Sequence, residues 1–114
     1  MRLKHVALTV SDRERSAEFC ATHFGLTDRI HDDDHLLILA DSAGGLLALS
    51  SGDVPANLPR TNHFGFEADS AEQVHELRVA FQNAGLTETE FQESGPARVM
   101  ILDPDGNRVE VYAF

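Results

Sequence analysis

Three stretches of the chain alternate with a period of two, one face being apolar. From Leu3 to Val10, the even positions Val6, Leu8 and Val10 are apolar and the odd positions carry His5, Ala7 and Thr9. From Thr61 to Ala68, Phe64, Phe66 and Ala68 oppose His63, Gly65 and Glu67. From Arg108 to Phe114, Val109, Val111 and Ala113 oppose Glu110 and Tyr112. Side chains alternate between the faces of a strand, so a period of two predicts three half-buried strands. His5, His63 and Glu110 then point away from the apolar faces.

The two halves repeat one plan. Ser11-Asp12-Arg13-Glu14 follows the first strand and Asp69-Ser70-Ala71-Glu72 follows the second. Each places a capping side chain three residues before a Glu, which predicts a helix start. Ala17, Cys20, Ala21 and Phe24 then recur at helical spacing, as do Val74, Leu77, Phe81 and Ala84, and both sets are expected to be buried. Phe24-Gly25-Leu26-Thr27 returns as Ala84-Gly85-Leu86-Thr87, a Gly stop with a Leu that folds back on the last turn. Three short strands follow each helix, near residues 27–31, 35–40 and 45–51 and near 87–92, 97–102 and 107–113. Asp103-Pro104-Asp105-Gly106 is a turn signal before the last of them. The expected fold is therefore α+β: two βαβββ modules, about 1–51 and 61–114, joined by a linker at 52–60 in a single domain. A module of this size cannot bury its sheet alone. The expected result is a curved mixed sheet around a cup, with the helices outside.

Net charge narrows the partners. At −10, the chain opposes phosphate backbones and anionic lipid, so neither nucleic acid nor a membrane surface is expected. No stretch approaches the length of a membrane span, and the N-terminus runs straight into a strand without an apolar leader, which predicts a cytoplasmic protein. Cys20 is the single cysteine and sits on the apolar helix face, where it reads as a small hydrophobe.

Two imidazoles and one carboxylate on sheet faces can hold a divalent metal and leave positions open for substrate. His5, His63 and Glu110 are the candidate ligands, and Zn, Mn, Ni and Fe(II) all suit them. Ala7 and Gly65, two residues beyond each His, either leave room above the metal or serve close packing. Alternation with Val99 and Ile101 places Arg98 and Met100 on the same face. Arg98 offers a guanidinium to an anionic substrate, or is a plain surface arginine. Tyr112 either orients substrate or packs at the pocket wall. Glu67 is a base at the rim or half of a rim salt bridge. His75 reads as solvated. Asp32-Asp33-Asp34 lacks the ligand spacing of a calcium loop and reads as a solvated turn.

Together, His5-Val6-Ala7-Leu8-Thr9-Val10-Ser11-Asp12, His63-Phe64-Gly65-Phe66 and Asp103-Pro104-Asp105-Gly106-Asn107-Arg108-Val109-Glu110 resemble the vicinal oxygen chelate superfamily. That superfamily includes glyoxalase I, fosfomycin-resistance enzymes, extradiol dioxygenases and bleomycin-resistance binding proteins. The resemblance implies that His5, His63 and Glu110 bind metal inside the cup. Matching Gly44 to Gly106 sets Ala48 opposite Glu110, so the fourth protein ligand of glyoxalase I is missing. Compared with the fosfomycin enzymes, Ala7 stands where a Thr is expected and Met100 where a Tyr is expected. His31 and His35 are the only spare histidines for a dioxygenase acid/base role. The resemblance implies a glyoxalase- or dioxygenase-like metalloenzyme (lyase, isomerase, transferase or dioxygenase) acting on a small substrate chelated through neighbouring oxygens. The other reading is a metal-free drug- or metabolite-binding protein of the bleomycin-resistance type. A homodimer is expected, with modules paired within a chain or exchanged between chains.

Overall fold

Alternation becomes strand in each of the three stretches. A computed structural model describes residues 1–114. Its elements are β1 (His5–Val10), α1 (Arg13–Phe24), β2 (Asp28–Asp32), β3 (Leu37–Ala40), β4 (Leu46–Ser51), β5 (His63–Glu67), α2 (Ala71–Asn83), β6 (Glu88–Gln92), β7 (Ala97–Leu102) and β8 (Arg108–Ala113). The chain divides into two units, Met1–Ala56 and Asn57–Phe114. Each is one βαβββ module with its own mixed four-stranded sheet, ordered β1-β4-β3-β2 in the first and β5-β8-β7-β6 in the second. The first strand of each module pairs parallel with the last, and the remaining ladders are antiparallel. The helix supplies the crossover that parallel pairing requires.

Both helices are capped one residue later than the sequence pattern predicts. Asp12 accepts from the Arg15 backbone N–H at 3.1 Å and Ser70 from that of Gln73 at 3.1 Å. Glu14 is thereby freed for Arg29, which it meets at 2.7 and 2.9 Å. At the other end Gly25 and Gly85 take φ of 71° and 76°, and the N–H groups of Leu26 and Leu86 reach back to Cys20 and Phe81. Ala84 is exposed rather than buried, because α2 ends at Asn83 and the backbone has already turned out of the apolar stripe. Ala21, Phe24 and Leu77 are only half-buried, while Ala17, Cys20, Val74 and Phe81 are buried as expected.

α1 packs on β4, and α2 packs on β7 and β8. Leu39, Leu47 and Leu49 in the first module, and Val99, Ile101, Val109 and Val111 in the second, form the buried rows of the two sheets. Each such side chain contributes about 1.5–3 kcal/mol by leaving water. The turns before β4 and β8 are the same device. Asp41 Oδ1 accepts from the N–H groups of Ala43 and Gly45, both at 2.8 Å. Asp103 Oδ1 accepts from those of Asp105 and Asn107 at 2.9 and 2.7 Å. Gly44 and Gly106 stand at φ of 91° and 84°, the left-handed region that favours glycine.

Candidate metal centre

The second unit assembles a polar cluster on the sheet face turned away from α2. β8 lies between β5 and β7. Glu110 pairs with Gly65 on one side and Met100 on the other, and Tyr112 pairs with Glu67 and Arg98. Paired residues share a face, so these side chains and His63 project together.

His63 is held by its own strand entry. Its Nδ1 lies 2.9 Å from the Thr61 carbonyl oxygen. A carbonyl can only accept, so Nδ1 carries the proton, and in the neutral ring Nε2 presents a lone pair. That lone pair faces Glu110 Oε2 at 3.5 Å. Two electron-rich atoms so placed need a cation or a proton between them. An imidazole anchored to a backbone carbonyl through its other nitrogen is also the arrangement that orients metal-ligating histidines. The donor set therefore fits a divalent ion. Gly65 fits closely beside it, since a Cβ there would lie 3.2 Å from the Glu110 carbonyl oxygen and 3.4 Å from its Cβ, a contact that Glu110 would have to yield to.

Glu110 already has one cation nearby. Nη1 of Arg98 donates to Glu110 Oε2 at 3.4 Å and to Glu90 Oε2 at 2.8 Å. Arg60 stands 3.9 Å from the other oxygen of Glu90. The bond from Arg98 lowers the pKa of Glu90, and Glu90 raises that of Arg98, so both stay charged at neutral pH. Arg98 is therefore a partnered member of the cluster rather than a plain surface arginine.

Sequence reasoning missed Glu90. In a regular strand Glu88 and Glu90 would share a face. Here the register shifts between them, with Glu88 opposite Ile101 and Glu90 opposite Met100. This bulge turns Glu88 toward α2, where it takes Arg78 at 2.7 and 2.9 Å, and Glu90 toward Arg98. Nothing in the local sequence announces the extra residue.

Other candidates fall into place. Met100 is 2% exposed, buried between the Glu90 and Glu110 positions. The Tyr112 ring meets Phe114 edge-on at 5.5 Å, so it packs at the end of the sheet. Glu67 is exposed and forms no ion pair. His75 is not solvated as expected. It is half-buried with its ring against Phe91 at 5.6 Å, because Phe91 points to the helix side of the bulged strand. His31 bonds Asp33 at 2.8 Å on the exposed β2–β3 turn. In the first unit, His5 and Ala7 are exposed on β1. Ala7 pairs with Ala48 as Gly65 pairs with Glu110, so β4 supplies no ligand at the matching place. Within either unit, no three His, Cys, Asp or Glu side chains gather around one point.

The family sequence model described as the Glyoxalase/Bleomycin resistance protein/Dioxygenase superfamily matches residues 2–111. The chain belongs to this superfamily. Among its relatives is the trivalent organoarsenical cleaving enzyme of a Bacillus species (strain MD1), 31% identical over 98% of this chain and 73% of that one. A possible glyoxalase from Bacillus cereus superposes with a TM-score of 0.82 at 29% identity, covering 97% of both chains. The fosfomycin resistance protein FosX of Listeria monocytogenes, solved with Mn(II) and sulfate, shares the glyoxalase-type fold at a TM-score of 0.83. It is 18% identical, with 99% of this chain and 92% of that one covered. Relatives in the superfamily are thus named enzymes, and divalent metal use occurs among its structures. No helix of the chain is long and apolar enough to cross a membrane.

Proposed function

We propose that this protein is an enzyme of the superfamily that holds a divalent ion through His5, His63 and Glu110 and acts on a small molecule bound through neighbouring oxygens. The observation that carries the reading is the His63–Glu110 pair, with Nδ1 tied to Thr61 and Nε2 facing a carboxylate oxygen at 3.5 Å. His5 stands at the same strand position of the first module as His63 in the second. Bound there, a divalent ion supplies Lewis acidity toward the substrate's oxygens. The chain's own residues do the rest. Thr61 fixes the His63 ring, Glu110 brings negative charge, and Gly65 leaves the space above it open. Tyr112 and Glu67, on the same face, are the groups available to donate or accept a proton. A homodimer, with modules paired within a chain or exchanged between chains, belongs to the same proposal.

The organoarsenical-cleaving relatives raise a trivalent arsenical as substrate. Trivalent arsenic seeks thiolates, and the single cysteine here, Cys20, is buried at 7% exposure. Oxygen chelation therefore suits this chain better than thiol capture.

One observation favours a second reading. Arg98 already neutralises Glu110, as in a metal-free protein that only binds its ligand. Elemental analysis separates the two readings. The purified chain, reconstituted with Mn(II), Zn(II), Ni(II) or Fe(II), should retain one ion per site, and His5→Ala, His63→Ala and Glu110→Ala should each lose it. Retention by all three variants, or no uptake by the unaltered chain, would favour the binder.

A further inference from the structure

We propose that Arg98 selects the substrate by charge, so that the site takes a small molecule carrying a carboxylate next to its chelating oxygen. The inference rests on the reading of His63 and Glu110 as metal ligands.

The guanidinium is engaged along one edge only. Nη1 meets both Glu90 and Glu110, while Nε and Nη2 bond to no protein atom. A guanidinium presents five N–H donors in a planar fork, so two parallel donors remain for one further carboxylate. The Arg98 side chain is 28% exposed, so part of it stays open to solvent. It is also held in place, since the 2.8 Å bond to Glu90 fixes one end of the fork. A preorganised donor loses little freedom on binding a ligand.

Charge balance gives the same answer. On this face Arg60, Arg98 and Arg108 stand against Glu67, Glu90 and Glu110, three charges of each sign. A divalent ion at Glu110 leaves the face positive, which favours an anionic ligand. The same ion competes with Arg98 for Glu110 Oε2, which Arg98 holds only at 3.4 Å. Glu90 keeps the arginine from swinging away, so a carboxylate on the substrate can replace Glu110 as its second partner. Glu90 reaches this place only because of the bulge between Glu88 and Glu90. Bulges beside sites re-aim side chains in this way.

The experiment compares glycolate with its neutral isostere glycolamide. Both are titrated by calorimetry into the full chain loaded with Mn(II), whose metal content is measured in every sample. The unaltered chain should favour glycolate. In Arg98→Gln the ratio of the two affinities should fall about tenfold, the size of a charge-assisted hydrogen bond, with Mn(II) retained. Arg98→Lys, which keeps the charge and loses the fork, should fall in between. Glu90→Gln loosens the bond that holds the fork and should lower the glycolate-to-glycolamide ratio severalfold with Mn(II) retained, a change of ratio that a merely damaged fold would not produce. An unchanged ratio in Arg98→Gln with metal retained would overturn this inference and leave the metal reading standing. Failure of the unaltered chain to take up Mn(II) would overturn both.

Discussion

The two modules share a plan down to their irregularities and differ in what they carry. Both bulge in the strand after the helix, between Arg29 and His31 in the first and between Glu88 and Glu90 in the second. Both use the residue before the bulge to reach the helix, but with opposite charge. Arg29 takes Glu14, and Glu88 takes Arg78. Past the bulge the likeness ends. His31 turns to a local aspartate, while Glu90 anchors Arg98. Ala48 stands where Glu110 does. The duplicated backbone holds each sheet, and the polar cluster of His63, Glu90, Arg98 and Glu110 stands on the far face of the second copy alone.

The shared part should break alike in both copies. Leu39 and Ile101 occupy matching buried places, each 1% exposed. Leu39→Ala and Ile101→Ala should each cost about 2–5 kcal/mol in urea unfolding. A difference beyond that range would mean that the copies do not contribute equally to the core.

The unlike part should break in one copy only. Gly65 lies against Glu110, where an added Cβ would be 3.2 Å from backbone. Its counterpart Ala7 faces only Ala48 and carries a Cβ already. Gly65→Ala should displace Glu110 and weaken Mn(II) binding roughly tenfold, the scale of a disturbed supporting contact. Ala7→Gly should leave metal affinity unchanged and cost about 0.5–1 kcal/mol of stability. Equal metal affinities in the two variants would remove the distinction between the faces.

A smaller effect tests a mismatch between the helices. Ser16 is 2% exposed and its hydroxyl has no hydrogen-bond partner, whereas its counterpart Val74 is 0% exposed and apolar. Ser16→Ala should therefore raise stability by up to about 1 kcal/mol, by removing an unsatisfied buried hydroxyl. A clear loss in thermal unfolding would show that the hydroxyl is bonded in solution.

The smallest effect concerns pH. Backbone N–H groups of His35 and Leu36 and the His31 ring hold the Asp33 carboxyl down at about 2. A depressed carboxyl stabilises the fold above the pKa of the unfolded chain, and that contribution is lost as pH falls from about 4 through 2. The matching turn of the second module carries Glu93, whose carboxylate takes no backbone N–H group. Asp33→Asn should thus flatten the acid limb of the stability profile between those values, while Ser94→Ala leaves it unchanged.

Much of this was legible in the sequence because period-two alternation depends only on neighbours along the chain. His5, His63, Glu110 and Arg98 could be assigned to faces that way, and the match of Gly44 to Gly106 gave Ala48 the register position in its module that Glu110 has in the other. Glu90 was not legible. Its direction depends on an extra residue in β6 relative to β7, which is a property of two strands and not of one. His75 was misread for the same reason, since its partner Phe91 lies in that strand. The caps slipped by one because Ser11 and Asp12, like Asp69 and Ser70, are adjacent residues that both cap well. Backbone geometry alone chose between them.

The irregularity in β6 has a consequence for how such a chain can change in length. Thr89 is the surplus residue, and its hydroxyl donates to the Met100 carbonyl at 3.4 Å. Deleting it would make Glu88 and Glu90 sequence neighbours, and neighbours in an even strand look in opposite directions, as these two already do. One codon could therefore vanish there while each carboxylate kept its present arginine, whereas losing Arg108 or Val109 from β8 would turn Glu110 to the wrong side.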